Sequence, residues 1–247
     1  MKIITYDSID STNIQAISIA EKGAEHGSAV VAGTQTMGRG RLGKSWQSPP
    51  GKGLYCSIIV RPRLAISDFP RLTFVAGIAV AEVISEHYLL EAGLKWPNDI
   101  YFHNRKCGGI LSESSSFAGA GDNRFAIIGV GLNVNTEKFD FPDELQDRAT
   151  SLYLESGKKT DIHALFNDVR TSMLLEVARF EQEGFGQVIT RWRKRDFMKG
   201  TRMAWVGIGG QRVEGISLGP DDEGLLHVLD DDGRMHEVMS GDIQLAS

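Results

Sequence analysis

Gly38-Arg39-Gly40-Arg41-Leu42-Gly43-Lys44-Ser45-Trp46 puts three glycines, three fixed cations, a hydroxyl and an indole into one short stretch. Glycine lets a backbone approach a ligand closely and turn through positive φ. No acidic residue stands beside these cations in the sequence, so their charge reads as meant for a ligand. An anion with several oxygens, such as a nucleotide phosphate, suits forked Arg donors and a Lys point charge. Gly38, Gly40 and Gly43 satisfy G-x-G-x-x-G, and Gly38 through Ser45 satisfies G-x-x-x-x-G-K-[ST]. Both motifs require a strand before and a helix after, so that backbone N–H groups at the helix start hold the phosphates. A strand over 28–34 fits. Pro49-Pro50-Gly51 cannot sit inside a helix, and no acidic residue stands about 20 residues on to hold a ribose. The stretch therefore reads as a basic loop that wraps an anion, not as the turn of a doubly wound nucleotide fold. A merely solvated, charged hairpin is the plain alternative.

Outward from the loop, residues 1–9 read as a strand, and Asp10-Ser11-Thr12-Asn13 offers helix caps before an apolar run over 14–20. A β-branched, aromatic strand follows over 53–60. The clearest helix covers 69–90, with Leu72, Val75, Ala76, Ala79, Val83 and Ile84 on one face, as a central buried helix would have. Pro97 pushes Trp96 toward an extended conformation, Asn98-Asp99 can bond the turn backbone, and His103-Asn104 reads as a hairpin turn. In the returning strand, Gly108-Gly109 suggests a bulge or a close backbone approach. Residues 114–123 form a small polar connection, 125–135 another strand with Gly129 and Gly131, and an irregular acidic stretch runs to Ser151. Asp161 caps a helix over 162–182, and 185–196 reads as a second helix. From Thr201 short alternating runs (203–206, 212–217, 225–229, 235–239) are divided by Gly209-Gly210, Gly219-Pro220-Asp221-Asp222 and Asp231-Asp232-Gly233. That spacing predicts a small all-β barrel of about five strands. The division expected is 1–199 and 200–247.

The 247-residue chain, 41% hydrophobic, is long enough for a sizeable core. Its net charge of −5 argues against general nucleic-acid binding and makes the local cation cluster more informative. Cys56 and Cys107 lack metal-type spacing and predict neither a zinc site nor a disulfide framework. No signal-like or membrane-length segment is seen, and a cytoplasmic setting is expected.

Four segments together resemble the biotin protein ligase family. The loop, preceded by Gln35, is similar to that family's G-R-G-R-x-G-[RK]-x-W signature. Lys95-Trp96-Pro97-Asn98-Asp99 matches K-W-P-N-D, Arg105-Lys106 with Gly108-Gly109-Ile110-Leu111 matches the next motif, and Gly129-Val130-Gly131-Leu132-Asn133 looks like G-x-G-[IL]-N. The resemblance implies an α+β fold: a mixed or antiparallel sheet with packed helices, of the class II synthetase and biotin ligase kind, plus an SH3-like C-terminal barrel. It implies an enzyme that activates biotin with ATP and Mg²⁺ to biotinoyl-AMP and transfers biotin to a lysine of a biotin carboxyl carrier protein.

On that resemblance Ser11, Thr12 and Gln35 belong to biotin's ring end, and Asn13 is a further binding residue. Gly38, Arg39, Gly40 and Arg41 belong to the carboxylate and phosphate, and Trp46 and Asn133 to adenine. Gly109, Leu111, Gly129 and Gly131 complete the binding surface. Lys106 is the chief catalytic cation, with Arg39, Arg41, Lys44 and Asp99 beside it. Asp99 holds Mg²⁺, orients the incoming lysine, or only closes the turn, and these options stay open. Capping by Ser11 or Thr12, and core packing of Trp46, are the structural alternatives; Lys95 and Trp96 read as structural. Lys44 stands where many members carry Arg. The chain begins almost at Ser11-Thr12-Asn13, leaving no room for the helix-turn-helix of repressor-type members, so the type without a DNA-binding domain is expected. The partners expected are the carrier, no DNA and no membrane, with a homodimer left open. Rival readings are a lipoate protein ligase-like enzyme, a non-catalytic biotin-binding module and a P-loop hydrolase.

Overall fold

The computed structural model describes residues 1–114, 124–206, 212–238 and 243–245. The polar connection beyond Ser114, the Gly209-Gly210 turn and Met239 lie outside them. Seven strands form the larger sheet: β1 (Ile3–Ile9), β2 (Ala29–Gln35), β3 (Gly53–Val60), β4 (Gly93–Lys95), β5 (Asp99–Phe102), β6 (Arg105–Ser114) and β7 (Ala126–Asn133). Their order is β1-β2-β3-β7-β6-β5-β4. Only β1 and β2 run parallel; every other neighbour is antiparallel, so the sheet is mixed, as expected.

Side-chain alternation gives this sheet two different faces. Leu54, Cys56 and Ile58 of β3 and Ile128, Val130 and Leu132 of β7 join the main core with α2 (Leu72–Tyr88) and α4 (Ile162–Glu183). Helix α2 is apolar nearly all round and lies at the centre of that core, which fits its sequence. On the opposite face α1 (Thr12–Glu21) sets Ala16 and Ala20 against Val30, Ile59, Phe125 and Ile127. This short helix covers only part of its face, and the functional residues occupy the remainder.

Element ends differ from expectation where local chemistry is strongest. Residues Ile66–Arg71 form a 3-10 turn containing Pro70, and the α-helix begins only at Leu72; Leu89, at φ 55°, ends it. Ser11 takes the N-cap position of α1 without a side-chain capping bond. Asp161 does cap α4, accepting from His163 N at 2.9 Å and Ala164 N at 3.2 Å, an arrangement generally worth about 1 kcal/mol. Gly184, at φ 77°, separates α4 from α5 (Phe185–Arg193), which is shorter than expected. The acidic stretch holds two 3-10 turns before α3 (Leu152–Ser156). The expected bulge is real: Ile100 pairs with Gly108 but Tyr101 with Lys106, so Cys107 is the extra residue.

The second sheet is antiparallel, with β8 (Arg202–Val206), β9 (Arg212–Pro220), β10 (Leu226–Asp230), β11 (Met235–Val238) and β12 (Ile243–Leu245) in the order β11-β10-β9-β8-β12. It is the small SH3-like element expected. Met203, Trp205, Leu226 and Val228 continue the main core, and Trp96 Nε1 donates to Gly224 O at 2.9 Å. The second sheet thereby contacts the segment that carries Asn98 and Asp99. Among the described residues no helix is long and apolar enough to cross a membrane.

Candidate active site

The basic loop leaves β2 and doubles back as a narrow hairpin. Arg39 bridges Ser45, Gly40 N donates to Lys44 O at 2.7 Å, and Trp46 N donates to Gly38 O at 2.9 Å. Its tip turns through Leu42 (φ 53°) and Gly43 (φ 74°). Gly38 is required by space, since a Cβ there would lie 2.4 Å from Trp46 O. The chain after Trp46 runs without a helix into β3, so neither phosphate motif has its helix.

Neutral hydrogen-bonding groups gather where α1 begins. Ser11, Thr12 and Asn13 are all buried. Gln35 Oε1 accepts from Thr12 N at 2.9 Å and lies 3.1 Å from Thr12 Oγ1, while Gln35 Nε2 donates to Ser48 Oγ at 3.2 Å. Ser57, fully buried on β3, is within hydrogen-bond reach of Thr12 Oγ1 (2.8 Å) and Asn13 Oδ1 (2.5 Å). Asn13 Nδ2 reaches Leu111 O at 3.3 Å and Glu113 Oε2 at 2.8 Å. These contacts need glycine at 129, where a Cβ would stand 2.2 Å from Asn13 Oδ1.

Cations gather at the other end. Lys106 Nζ lies 2.6 Å from Asp99 Oδ1 and 5.6 Å from the centre of the Trp46 ring. Arg41 donates to Asn98 Oδ1 at 3.3 Å, and Asn98 Nδ2 donates to Ile110 O at 2.7 Å. Burial pushes the pKa of the Arg41 guanidinium down from its ordinary value, with the charge of Asp99 opposing. Arg39 pairs with Glu113, Nη2 to Oε1 at 3.1 Å. The expectation that the loop cations lack protein partners is therefore corrected for both arginines: the sheet brings Arg39 a carboxylate, and the turn after Pro97 brings Arg41 an amide oxygen, each far away in sequence.

Trp46 lies flat against β7. A Cβ at Gly131 would fall 2.6 Å from its Cε2, and its buried Nε1 has no hydrogen-bond partner among the described residues. Asn133, on the same face of β7, gives Nδ2 to Thr150 O at 3.0 Å. That contact leaves Asn133 Oδ1 and one amide hydrogen for a ligand.

One cavity of about 170 Å³ joins these two ends. It is lined by Ser11, Thr12, Asn13, Gln35, Arg39, Gly40, Arg41, Lys44, Trp46, Asp99, Lys106, Gly109, Leu111, Gly129 and Gly131. Of the residues singled out in the sequence, Gly38 lies behind it, against Trp46 O and Ser48. Asn133 belongs to a second cavity of about 500 Å³, which shares Lys44, Trp46, Asp99 and Lys106 with the first. Lys95, expected to be structural, lines both and lies over the Tyr101 ring. Sequence reasoning missed Ser57, Glu113, Asn98 and, in the second cavity, Phe141 and Arg148. Period-two alternation could have found two of them: Glu113 shares a face with Gly109 and Leu111, and Ser57 shares one with Tyr55 and Ile59.

Among the described residues no group of three or more His, Cys, Asp or Glu could hold a metal ion. Asp99 is already paired with Lys106. This donor set does not make a protein cage for Mg²⁺, which commonly takes one or two carboxylates together with substrate phosphates.

Comparisons with known proteins agree with this geometry. Residues 6–133 match the Biotin/lipoate A/B protein ligase family, and 206–246 match the Biotin protein ligase C terminal domain. The bifunctional ligase/repressor BirA of Bacillus subtilis is 36% identical over 243 residues, covering 98% of this chain and 74% of the relative. A biotin–[acetyl-CoA-carboxylase] ligase of Mycobacterium tuberculosis is 33% identical, covering 94% of this chain and 85% of the relative. Among solved structures, the biotin protein ligase of Aquifex aeolicus in complex with biotin and ATP superposes with a TM-score of 0.85 at 30% identity, covering 99% of both chains.

Proposed function

The chain belongs to the biotin/lipoate A/B protein ligase family, and from that premise we propose how its residues divide the work of an ATP-dependent biotin protein ligase. Biotin is activated with ATP to biotinoyl-AMP and then passed to a protein lysine. The observation that carries the residue roles is the polarity of the first cavity, neutral at Thr12 and Gln35 and cationic at Arg39, Arg41 and Lys106.

Biotin's ureido ring, neutral and rich in donors and acceptors, fits the end lined by Ser11, Thr12 and Gln35. Its carboxylate then points toward the cations. The second cavity receives the nucleotide, with adenine against Trp46 and within reach of Asn133. The α-phosphorus lies at the shared wall, beside Lys106. A carboxylate oxygen attacks that phosphorus, the bond to the bridging oxygen breaks, and pyrophosphate leaves with the electron pair. Two anions must meet for this, and Lys106 with Arg39 and Arg41 supplies the charge that permits the approach. Because Lys106 sits on a sheet strand and is held by Asp99, its ammonium is placed in advance.

In the second step a lysine ε-amine attacks the acyl carbon, AMP leaves, and a proton is lost from nitrogen. Asp99 is the carboxylate nearest this junction and is assigned to orienting the amine. Magnesium would arrive on ATP and neutralise phosphate charge. The acceptor assigned is a biotin carboxyl carrier domain. The catalytic portion is assigned to 1–199 and the accessory sheet to 200–247.

The test is incubation with biotin, ATP, Mg²⁺ and a carrier domain, with lipoate in a parallel arm. A biotin mass increment on one carrier lysine, dependent on ATP, is expected. Equal ATP consumption with and without biotin, or preferential lipoate transfer, overturns the reading.

A further inference from the structure

Glu113 lies outside the four motifs, yet it joins the neutral end of the site to the basic loop. Its carboxylate meets the Arg39 guanidinium end-on, Oε1 at 3.1 Å from Nη2 and Oε2 at 3.4 Å from Nη1. Oε2 also accepts from Asn13 Nδ2 at 2.8 Å. Asn13 is itself fixed by Ser57 Oγ at 2.5 Å and by Leu111 O at 3.3 Å, in the space that Gly129 leaves. A chain of contacts thus runs from the sheet interior through Ser57, Asn13 and Glu113 to Arg39 on the loop.

A guanidinium carries five N–H donors in a rigid fork. The end-on contact uses one hydrogen on each terminal nitrogen. The side-on edge, formed by Nε and one terminal nitrogen, stays available for a second oxyanion. Without Glu113 the long Arg39 side chain, 44% exposed, would rotate freely in solvent. Hydrogen bonds Gly40 N to Lys44 O and Trp46 N to Gly38 O make the hairpin one unit, so fixing Arg39 also fixes the loop.

We infer that Glu113 is a positioning residue, holding Arg39 by one edge of its guanidinium so that the other serves the reacting carboxylate and phosphate, and pinning loop 38–46 over the site before substrate binds. The chemical half rests on the ligase reading; the pinning half does not.

Glu113→Gln tests both, because it keeps the size and an acceptor for Asn13 while removing the charge. In ligand-free protein, amide hydrogen exchange across 38–46 should become several-fold faster. Bound biotinoyl-AMP should escape several-fold faster, and the KM for biotin should rise more than kcat falls. The double variant Arg39→Ala/Glu113→Gln should release adenylate no faster than Arg39→Ala alone, since the pair acts as one unit. Multiplying effects, or a lowered Tm with unchanged loop exchange, overturn the proposal. Exchange needs no substrate, so it decides the pinning even if the wild-type protein forms no adenylate, an outcome that would instead count against the ligase reading.

Discussion

Gly131→Ala isolates what the proposed nucleotide platform contributes. The glycine has no left-handed backbone, so alanine brings no φ strain. The added methyl would instead lie 2.6 Å from Trp46 Cε2 and 2.8 Å from its Nε1. Something must yield: either β7 shifts or the indole lifts away. Strand β7 is held on both sides, by β3 and β6, whereas Trp46 ends a hairpin loop. The loop therefore moves. Overpacking within a rigid core costs roughly 1–3 kcal/mol, and most of that is avoided when the indole swings out. On the proposed adenine site, what is lost is stacking on the base, about 1–3 kcal/mol, which converts to roughly 5- to 150-fold in affinity. ATP and biotinoyl-AMP should bind weaker by that factor in calorimetry, with biotin binding in the absence of ATP nearly unchanged and Tm lowered only slightly. A large fall in Tm with unchanged nucleotide affinity would mean that the strand moved and that Trp46 is core packing, refuting the reasoning.

Two further positions, Lys106 and Lys44, and the two buried thiols are testable from the same geometry. Lys106→Ala removes the cation assigned to the reacting phosphate in the proposed mechanism and leaves Asp99 without its Lys106 partner; adenylate formation should fall roughly 10²- to 10³-fold, with transfer from supplied biotinoyl-AMP falling less, as read by single-turnover assays. Lys44→Arg exchanges a point charge for a fork able to take two phosphate oxygens; adenylate release should slow by a few-fold, about 1 kcal/mol, and Lys44→Ala should hasten it and increase labelling of bystander proteins. Burial pushes the Cys56 thiol up to about 12 and also raises Cys107. Both stay neutral and enclosed at pH 8, so iodoacetamide should modify neither until the protein is unfolded, as intact mass would show.

The order of elements was legible because period and punctuation agree along most of the chain. Gly53–Val60 was bounded correctly by its glycine and by Pro62, and the existence of α2, though not its first turn, was marked by its apolar surface. What was not legible was the pairing. Nothing local says that β3 sits between β2 and β7, or that β1 and β2 run parallel. The start of α2 was misplaced because Phe69 fits the helical period and is buried, yet it lies in the 3-10 turn with Pro70. Burial alone does not distinguish the two turns.

The site was legible where a motif concentrates unusual chemistry and illegible where the sheet assembles it from ordinary residues. Arg39, Arg41 and Lys106 stand out because cations beside glycines need a reason. Ser57 and Glu113 do not stand out, since a serine in a strand and a glutamate near a strand end are commonplace. Alternation assigns each to a face of its strand, but that those faces meet the basic loop follows only once β3, β7 and β6 are placed side by side with Gly129 open between them. Then Ser57 lies under Asn13, Glu113 lies beyond it, and Arg39 closes the line. The glycines supply the connection: they bear no chemistry, but Gly129 admits Asn13 and Gly131 admits Trp46 to the same face of the same strand. A single strand thus spaces the neutral end from the proposed nucleotide platform at Trp46 by one period of the pleat, about 7 Å, which is short enough for one extended ligand to reach from the neutral end to the cations.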